Sequence, residues 1–338
     1  MKNILTRKKI ILNVENLKVY FHIKVKDRWF WKSTRSLKAI DGLSMWLYEG
    51  ETLGIVGESG CGKSTFARAL IGLVKITSGR ITWFGKELQN ISAKQWRIIR
   101  NDIQMIFQDP VASLNPCMTI GDIIAEPLRA YFPKMIHQSV KEKVGNIMKK
   151  VGLLPNLMNH YPYELSGGQC QRVGIARALI LEPKLVICDE PVSALDVSVQ
   201  AQVVNLLKQL QRDMKISLIF IAHDLAIIKH ISDRILVMYL GHIMEIGTYD
   251  RIYHNPQHPY TRALISAVPI PDPDSEYNKI THLLEGDLPS PINPPSGCVF
   301  RTRCYLSDEI CKKTKPILQG NLLHSCSCIK INTSKLTQ

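Results

Sequence analysis

The chain contains a short glycine-rich segment with the residue types needed to bind a polyphosphate: Gly57-Glu58-Ser59-Gly60-Cys61-Gly62-Lys63-Ser64. This segment matches the P-loop pattern G-x-x-x-x-G-K-S/T at every fixed position. Its glycines let backbone N–H groups turn inward around phosphates at the start of a helix, here at Thr65. Lys63 can neutralise the β- and γ-phosphate oxygens, and the Ser64 hydroxyl can ligate Mg²⁺. The pattern predicts a site for a nucleoside triphosphate.

Strands and helices alternate around this loop. Apolar or alternating segments predict strands at 11–21, 39–47, 53–56, 79–84, 101–107, 185–190 and 217–222. Helices are expected at 65–70, 92–100 and 199–215, and residues 111–165 are expected to be mainly helical. This alternation predicts an α/β protein with a largely parallel sheet.

Two regions depart from this alternation. Residues 22–38 form a basic insertion that contains Trp29, Phe30 and Trp31. They favour either a loop that docks on a membrane or a partner, or a long hairpin loop with its aromatic side chains folded back. From about Asn255 the chain is rich in proline, which predicts a loop-rich extension. The expected division is therefore 1–254 and 255–338.

Further motifs follow the P-loop in a fixed order. They are Gln108 after a strand, Leu165-Ser166-Gly167-Gly168-Gln169 at the start of a helix, Asp189-Glu190 at a strand end, Ser193-Ala194-Leu195-Asp196, and His223. In this order, over about residues 11–250, the chain resembles an ABC-type ATPase. The resemblance implies an α/β P-loop NTPase core with an antiparallel β subdomain and an inserted helical subdomain at about 111–165.

The resemblance also implies roles for these residues. Asp189 would hold Mg²⁺ together with Ser64, and Gln108 would contact the metal and the attacking water. Glu190 would be the general base, and His223 would bond the γ-phosphate and fix the base and water.

In this family the LSGGQ segment serves a second subunit. Ser166, Gly167, Gly168 and Gln169 would cap the ATP bound to a partner, with Asp196 at the seam between the two chains. Because one set of motifs is present, two chains are expected in each working unit. The family also places an aromatic side chain against adenine, for which Phe21 is the first candidate and Tyr20 the second.

The tail resembles ATP-binding subunits of oligopeptide and dipeptide importers. The similarity lies in His258–Leu264 (HPYTRAL), Gly297–Cys304 (GCVFRTRC) and Val111–Pro116 (VASLNP). It implies two transmembrane permease subunits, a second identical or related ATPase, and indirectly a solute-binding protein. The transported solute stays open, since nickel and antimicrobial-peptide importers share much of the pattern.

Five of the nine cysteines lie in the last 41 residues. The resemblance implies that Cys298, Cys304, Cys311 and Cys328 hold a 4Fe–4S cluster, with zinc or free thiols as the alternatives. The four cysteines outside the tail, all in the ATPase region, are expected to be packing residues.

Composition constrains where the protein works. No apolar run reaches the roughly 18 residues of a spanning helix, and a signal peptide is not expected. Residues 1–38 carry eleven Lys and Arg against two Asp and Glu, residues 298–338 carry seven against two, and the body between them is neutral. The protein is expected at the cytoplasmic face of the membrane, with no nucleic acid bound. A soluble ABC ATPase that acts on DNA or ribosomes is the alternative.

Overall fold

The computed structural model of the protein describes residues 9–26, 32–268, 284 and 286–331. Its strands are β1 (Ile10–Lys26), β2 (Lys32–Tyr48), β3 (Thr52–Val56), β4 (Ser78–Trp83), β5 (Lys86–Glu87), β6 (Ile103–Ile106), β7 (Leu185–Asp189), β8 (Ser217–Ile221), β9 (Arg234–Tyr239), β10 (His242–Thr248), β11 (Gln319–Gly320) and β12 (His324–Cys326). Its helices are α1 (Lys63–Leu70), α2 (Ala93–Asp102), α3 (Ile120–Tyr131), α4 (His137–Lys150), α5 (Gly167–Leu179), α6 (Val197–Met214), α7 (Leu225–Ile231), α8 (Tyr249–His254), α9 (Pro259–Ser266) and α10 (Glu309–Lys313). The predicted alternation of strands and helices is confirmed.

Contacts within the chain divide it into two compact units. The first unit contains 48–52 and 90–222, and the second contains the described residues of 9–47, 53–89 and 223–338.

Three parallel strands form the sheet of the first unit, in the order β8-β7-β6. Every residue of β7 and β8 is buried, as expected for parallel strands covered on both faces. Thr119 is the N-cap residue of helix α3, and its side chain accepts a hydrogen bond from the Asp122 amide. In α3, Ile120, Ile124 and Leu128 are buried, and the helix contacts α4 and α5, so the range 111–165 is mainly helical, as predicted.

The second unit contains two sheets. In one, β3 pairs in parallel with β9, and β10, β12 and β11 follow as antiparallel neighbours. In the other, the order is β2-β1-β4-β5 with antiparallel pairing of β1 with β4 and of β4 with β5. An antiparallel β subdomain is therefore present, as the resemblance implied.

The basic segment before Ala39 differs from its prediction as a loop. The described parts of it, 22–26 and 32–38, lengthen β1 and β2, so the first strand runs past Phe21 to Lys26. The two strands are neighbours in the sheet, and their mutual pairing explains the extended backbone. Trp29, Phe30 and Trp31 lie outside the described residues.

The tail also contains more regular structure than a proline-rich loop suggests. The short strand β12 pairs with β10, with Glu245 opposite Cys326 and Gly247 opposite His324. Three residues of β-pairing are too short a pattern to stand out in the sequence. None of the helices in the described part of the chain is long and apolar enough to cross a bilayer.

Candidate functional site

The glycine-rich loop joins β3 to α1, as the P-loop pattern requires. Gly62 has a φ of 105°, and a side chain there would collide with the carbonyl oxygen of Ala39. A side chain on Gly57 would collide with the Met238 carbonyl oxygen. Only glycine fits these two positions, because the loop must turn tightly against neighbouring backbone.

Lys63 is buried beneath this loop. Its Nζ donates to the carbonyl oxygens of Gly57 at 2.7 Å and Glu58 at 3.0 Å. The ammonium is therefore held by the backbone of the loop, and Ser64 and Thr65 follow Lys63 in the first turn of α1. Cys61 is buried in the loop, and this burial raises the pKa of its thiol. A thiol held protonated adds no negative charge to a phosphate site.

The two acids lie at the end of β7 in the first unit: Asp189 is the last residue of the strand and Glu190 follows it. Asp189 is buried, whereas Glu190 is partly exposed and has a left-handed φ of 47°. Gln108 follows β6, the neighbour of β7, and its Nε2 donates to Glu190 Oε2 at 3.0 Å. The structure thus brings Gln108 and Glu190 together, and the sequence order alone did not predict their hydrogen bond.

The LSGGQ segment forms the start of α5. Ser166 is the N-cap residue, and its hydroxyl accepts from the Gln169 amide at 3.3 Å. The Gln169 side chain in turn accepts from the Ser166 amide at 2.9 Å, which completes a capping box. Ser166 and Gly167 are exposed, and Gly168 is half-buried against Val199. The segment therefore presents a helix N-terminus to solvent, an arrangement that can bind an anion.

Asp196 and His223 are both exposed. Asp196 is the N-cap residue of α6, and His223 follows β8. Asp224, beside His223, caps α7 by accepting from the Ala226 amide at 2.7 Å. By unit, Gln108, the LSGGQ segment, Asp189, Glu190 and Asp196 belong to the first, and the P-loop and His223 belong to the second.

The two aromatic candidates for adenine differ in their surroundings. The Tyr20 hydroxyl donates to Asp41 Oδ1 at 2.6 Å, so its ring is held in place within the second unit. Phe21 points to the other side of the strand, and 39% of it is exposed. An exposed ring is free to stack on a base, which keeps Phe21 as the first candidate.

Four tail cysteines line one small cavity: Cys298, Cys304, Cys311 and Cys328. Burial raises the pKa of the Cys298 thiol to about 11 and raises the pKa values of the Cys304 and Cys328 thiols as well. Arg301 and Lys330 line the same cavity. Across the described residues, however, no group of three or more His, Cys, Asp or Glu side chains has an arrangement that could hold a metal ion. The cluster therefore stays a prediction.

Two residues that touch the P-loop were missed by the sequence analysis. The Tyr260 hydroxyl accepts a hydrogen bond from the Glu58 amide at 3.0 Å, and Arg303 forms an ion pair with the Glu58 carboxylate. Tyr260 lies in the HPYTRAL segment and Arg303 in the GCVFRTRC segment. These segments indicated a subfamily, but nothing in them predicted contact with a residue more than 200 positions away in the chain.

Comparison with known families agrees with these motifs. The profile of the family described as "ABC transporter" matches residues 40–193, and that of "Oligopeptide/dipeptide transporter, C-terminal region" matches residues 244–311. Among solved structures, the dimeric structure of a post-hydrolysis ATP-binding cassette bound to ADP and Pi has 26% identity and a TM-score of 0.62. The match covers 71% of this chain and 99% of the solved chain. A Clostridium perfringens protein described as part of an ABC transporter complex has 29% identity and a TM-score of 0.62, covering 73% and 92%.

Curated relatives extend this similarity to nearly the whole chain. The oligopeptide transport ATP-binding protein OppF of Escherichia coli (strain K12) is 70% identical over 96% of this chain and 97% of its own length. OppF of Salmonella typhimurium is 67% identical, covering 98% and 99%. A putative oligopeptide transport ATP-binding protein of Bacillus subtilis is 51% identical, covering 91% and 92%. This chain belongs to the ABC transporter family, among its oligopeptide transport ATP-binding proteins.

Proposed function

We propose that this chain is the ATP-hydrolysing, energy-coupling subunit of a membrane importer for oligopeptides or dipeptides. The observation that carries the proposal is 70% identity over 96% of the chain to an oligopeptide transport ATP-binding protein. An intact P-loop with a buried lysine supports ATP binding by the chain itself.

The P-loop would hold the triphosphate. The residues of this site would be Gly57, Glu58, Ser59, Gly60, Cys61, Gly62, Lys63, Ser64 and Thr65, with Phe21 against adenine. Mg²⁺ would be held by Ser64 and Asp189, with Gln108 contributing to the same ion. The donor set of hydroxyl, carboxylate and amide oxygens suits this hard cation.

Glu190 would act as the general base on the attacking water. Its carboxylate already accepts a hydrogen bond from Gln108 at 3.0 Å, which orients it at the end of β7. His223 would bond the γ-phosphate, a role supported by its place in the motif order.

The signature segment would act on the nucleotide of a partner ATPase. The exposed α5 N-terminus, with Ser166, Gly167, Gly168 and Gln169, supports this role, and exposed Asp196 would lie at the same seam. ATP binding would then close two such subunits together, and hydrolysis would let them part. The similarity to a dimeric cassette supports this arrangement.

The motion of the two subunits would drive two transmembrane permeases at the cytoplasmic face of the membrane. The solute-binding protein would act indirectly, through those permeases. The division into an ATPase domain, 1–254 with a helical part at about 111–165, and an extension, 255–338, is part of this proposal. The match of a transporter C-terminal profile to residues 244–311 supports an extension specific to this subfamily.

A 4Fe–4S cluster on Cys298, Cys304, Cys311 and Cys328 is a finer part of the proposal. The four thiols share one cavity, where they would bind iron as thiolates. Arg301 and Lys330, which line the cavity, would offset the charge of the thiolates. Such a cluster would supply a redox-active or structural centre in the extension.

Anaerobic purification tests the cluster directly. We expect a brown protein with about four irons per chain, lost in Cys298→Ser and retained in Cys326→Ser. Cys326 is a matched control because it is a buried tail cysteine outside the cavity lining. A colourless, iron-free protein would reject the cluster; bound zinc would favour the alternative.

Affinity purification from native membranes in mild detergent tests the proposed function. We expect two multispanning subunits and a second ATPase to copurify with the chain. Peptide uptake by that complex should then require an intact Lys63. Recovery of ribosomes or nucleic acid without membrane proteins would overturn the proposal in favour of a soluble ATPase.

A further inference from the structure

The P-loop contains an acidic residue, Glu58, beside the site of a highly negative ligand. A carboxylate near bound phosphates weakens their binding, because like charges repel strongly where water is partly excluded. The position immediately after Gly57 is variable in the P-loop pattern, so the pattern itself does not demand this charge. Something must offset the charge of Glu58 if the loop is to accept a triphosphate.

Arg303, from the C-terminal extension, forms that pair. The Nη1 atom of Arg303 lies 2.9 Å from Glu58 Oε1 and 2.8 Å from Glu58 Oε2. The Arg303 side chain is 7% exposed and that of Glu58 is 26% exposed, so the pair is largely shielded from solvent. Burial acts to lower the pKa of Arg303, but its hydrogen bonds to Glu58 and Tyr239 outweigh burial, and the pKa is raised. The guanidinium therefore stays charged and neutralises the carboxylate.

Tyr260 fixes the backbone of the same residue. Its hydroxyl accepts from the Glu58 amide at 3.0 Å, and its ring is fully buried. That ring packs against Tyr239 at 4.9 Å and Phe300 at 5.3 Å between centroids. The contact is thus anchored in an aromatic cluster rather than in a mobile surface side chain.

The extension approaches the loop at a third point. A methyl group placed on Gly60 would lie 3.8 Å from Leu288 Cδ2. Tyr260 and Arg303 lie in the region matched by the transporter C-terminal profile. Both contact the P-loop, which lies in the region matched by the ABC profile.

We propose that Arg303 and Tyr260 are positioning residues of the P-loop, which neutralise and hold Glu58 so that the loop accepts the triphosphate. The inference rests on the proposed ATP-binding function. It gives the C-terminal extension a direct part in nucleotide affinity, beyond marking a subfamily of importers.

A double-mutant cycle tests the electrostatic part, with ATP binding measured on the full-length chain and KM and kcat on the purified complex. In the wild-type background, Arg303→Gln should raise the Kd and KM for ATP about tenfold, because Glu58 is left unpaired, and change kcat less than about twofold. In the Glu58→Gln background, the same change should alter Kd less than about twofold, because no carboxylate remains to be neutralised. High salt should reduce the tenfold effect.

Arg262→Gln is the matched control for lost charge. Arg262 also lies in the C-terminal extension, but its Nε donates to the Pro256 carbonyl oxygen at 2.9 Å, within the extension itself. This variant should leave the Kd for ATP unchanged. An unchanged Kd for ATP in Arg303→Gln would overturn the inference. An equal loss of ATP affinity in both Glu58 backgrounds would also overturn it, because such a loss would indicate damage to folding alone.

Tyr260→Phe tests the backbone contact, since it removes only the hydroxyl and keeps the packed ring. We expect the Kd for ATP to rise about threefold with kcat unchanged, whereas Tyr305→Phe, on the surface of the extension, should have no effect. An unchanged Kd would remove Tyr260 from the proposal. If the wild-type chain fails to bind ATP, the proposed function itself fails; if it binds and the variants bind equally well, only this inference fails.

Discussion

Single residues in this chain are held in conformations that suit chemistry at the cost of local strain. Glu190 has a φ of 47°, a region that non-glycine residues adopt at a cost of about 1–3 kcal/mol. Its amide donates to the Ile221 carbonyl oxygen at 3.1 Å, and its own carbonyl oxygen accepts from the Ser193 hydroxyl at 3.1 Å. These bonds hold the strained backbone, so the carboxylate emerges where β7 ends and Gln108 can reach it.

Replacement of Glu190 tests its role as the base. Glu190→Gln keeps the side chain's shape but removes its basicity, so ATP turnover should fall about 100-fold or more while ATP binding is retained. Steady-state hydrolysis and equilibrium ATP binding measure the two effects. Glu142→Gln, on the exposed surface of α4, is the control and should change neither. Near-normal hydrolysis by Glu190→Gln would refute the assignment.

At the scale of elements, helices α2 and α5 begin with the same capping motif, but only α5 is expected to contact a nucleotide. Ser92 caps α2 and Ser166 caps α5, each in a capping box with a glutamine three residues later. Their local energetics should match, because each hydroxyl accepts one otherwise unpaired amide at 3.3 Å.

This pair separates stability from function. Ser92→Ala and Ser166→Ala should each lower the free energy of unfolding by about 1 kcal/mol. Only Ser166→Ala should also lower the ATPase rate of the assembled complex, by about tenfold, because its hydroxyl would be lost from the partner's nucleotide. Chemical denaturation and hydrolysis assays report the two quantities. Equal rates in the two variants would contradict the role of LSGGQ in a dimer.

Helix α9 makes folding stability depend on pH. Its N-cap residue, His258, is buried and accepts from the Tyr260 amide at 3.1 Å through Nδ1. Burial lowers the His258 pKa to about 4, against the opposing effect of Glu245, while Arg262 lowers it further. Burial, with Lys315, also lowers the pKa of His242 to about 4.

Between pH 6.5 and about 4 the unfolded chain binds protons at these histidines that the folded chain does not. The free energy of unfolding should therefore fall as the pH falls through this window, by about 3 kcal/mol for His258. His258→Asn keeps a capping acceptor and should reduce the pH dependence of the free energy of unfolding to the part contributed by His242. His254→Asn, at an exposed position, should leave that pH dependence unchanged. Denaturation at pH 7, 6 and 5 measures the slopes. A slope unchanged by His258→Asn would contradict the assignment.

At the scale of the whole molecule, one buried carboxylate joins the extension to the strand β10. Glu245 is fully buried and accepts from the amides of Gln257 at 2.7 Å and His258 at 2.9 Å. It also contacts His324 Nε2, on β12, at 2.6 Å. This single residue thus ties two separate segments of the tail to β10, within the second unit.

Removal of this carboxylate should loosen the tail. Glu245→Ala leaves several buried polar groups without their partner, so we expect a loss of about 3 kcal/mol in the free energy of unfolding. Limited proteolysis should then cut the extension first. Glu309→Ala removes an exposed glutamate that pairs with Lys312, and should cost less than about 1 kcal/mol. Equal stability of the two variants would show that β-pairing alone holds the tail.

The sequence by itself determined the phosphate chemistry and the α/β order of the chain. The P-loop and LSGGQ signals are local, since glycines, a lysine and a cap box act within a few residues of one another. Buried parallel strands such as β7 and β8 are also visible locally, as short continuous apolar runs.

Only the tertiary structure decided the contacts between residues far apart in the chain. Arg303 and Glu58 are 245 positions apart, and His324 and Glu245 are 79 apart. Neither pair leaves a periodic trace, because an ion pair depends on where the fold brings two side chains and not on their spacing. The extension of β1 and β2 into residues 22–26 and 32–38 was likewise hidden, since the mutual pairing of the two strands, rather than the composition of these residues, made them extended.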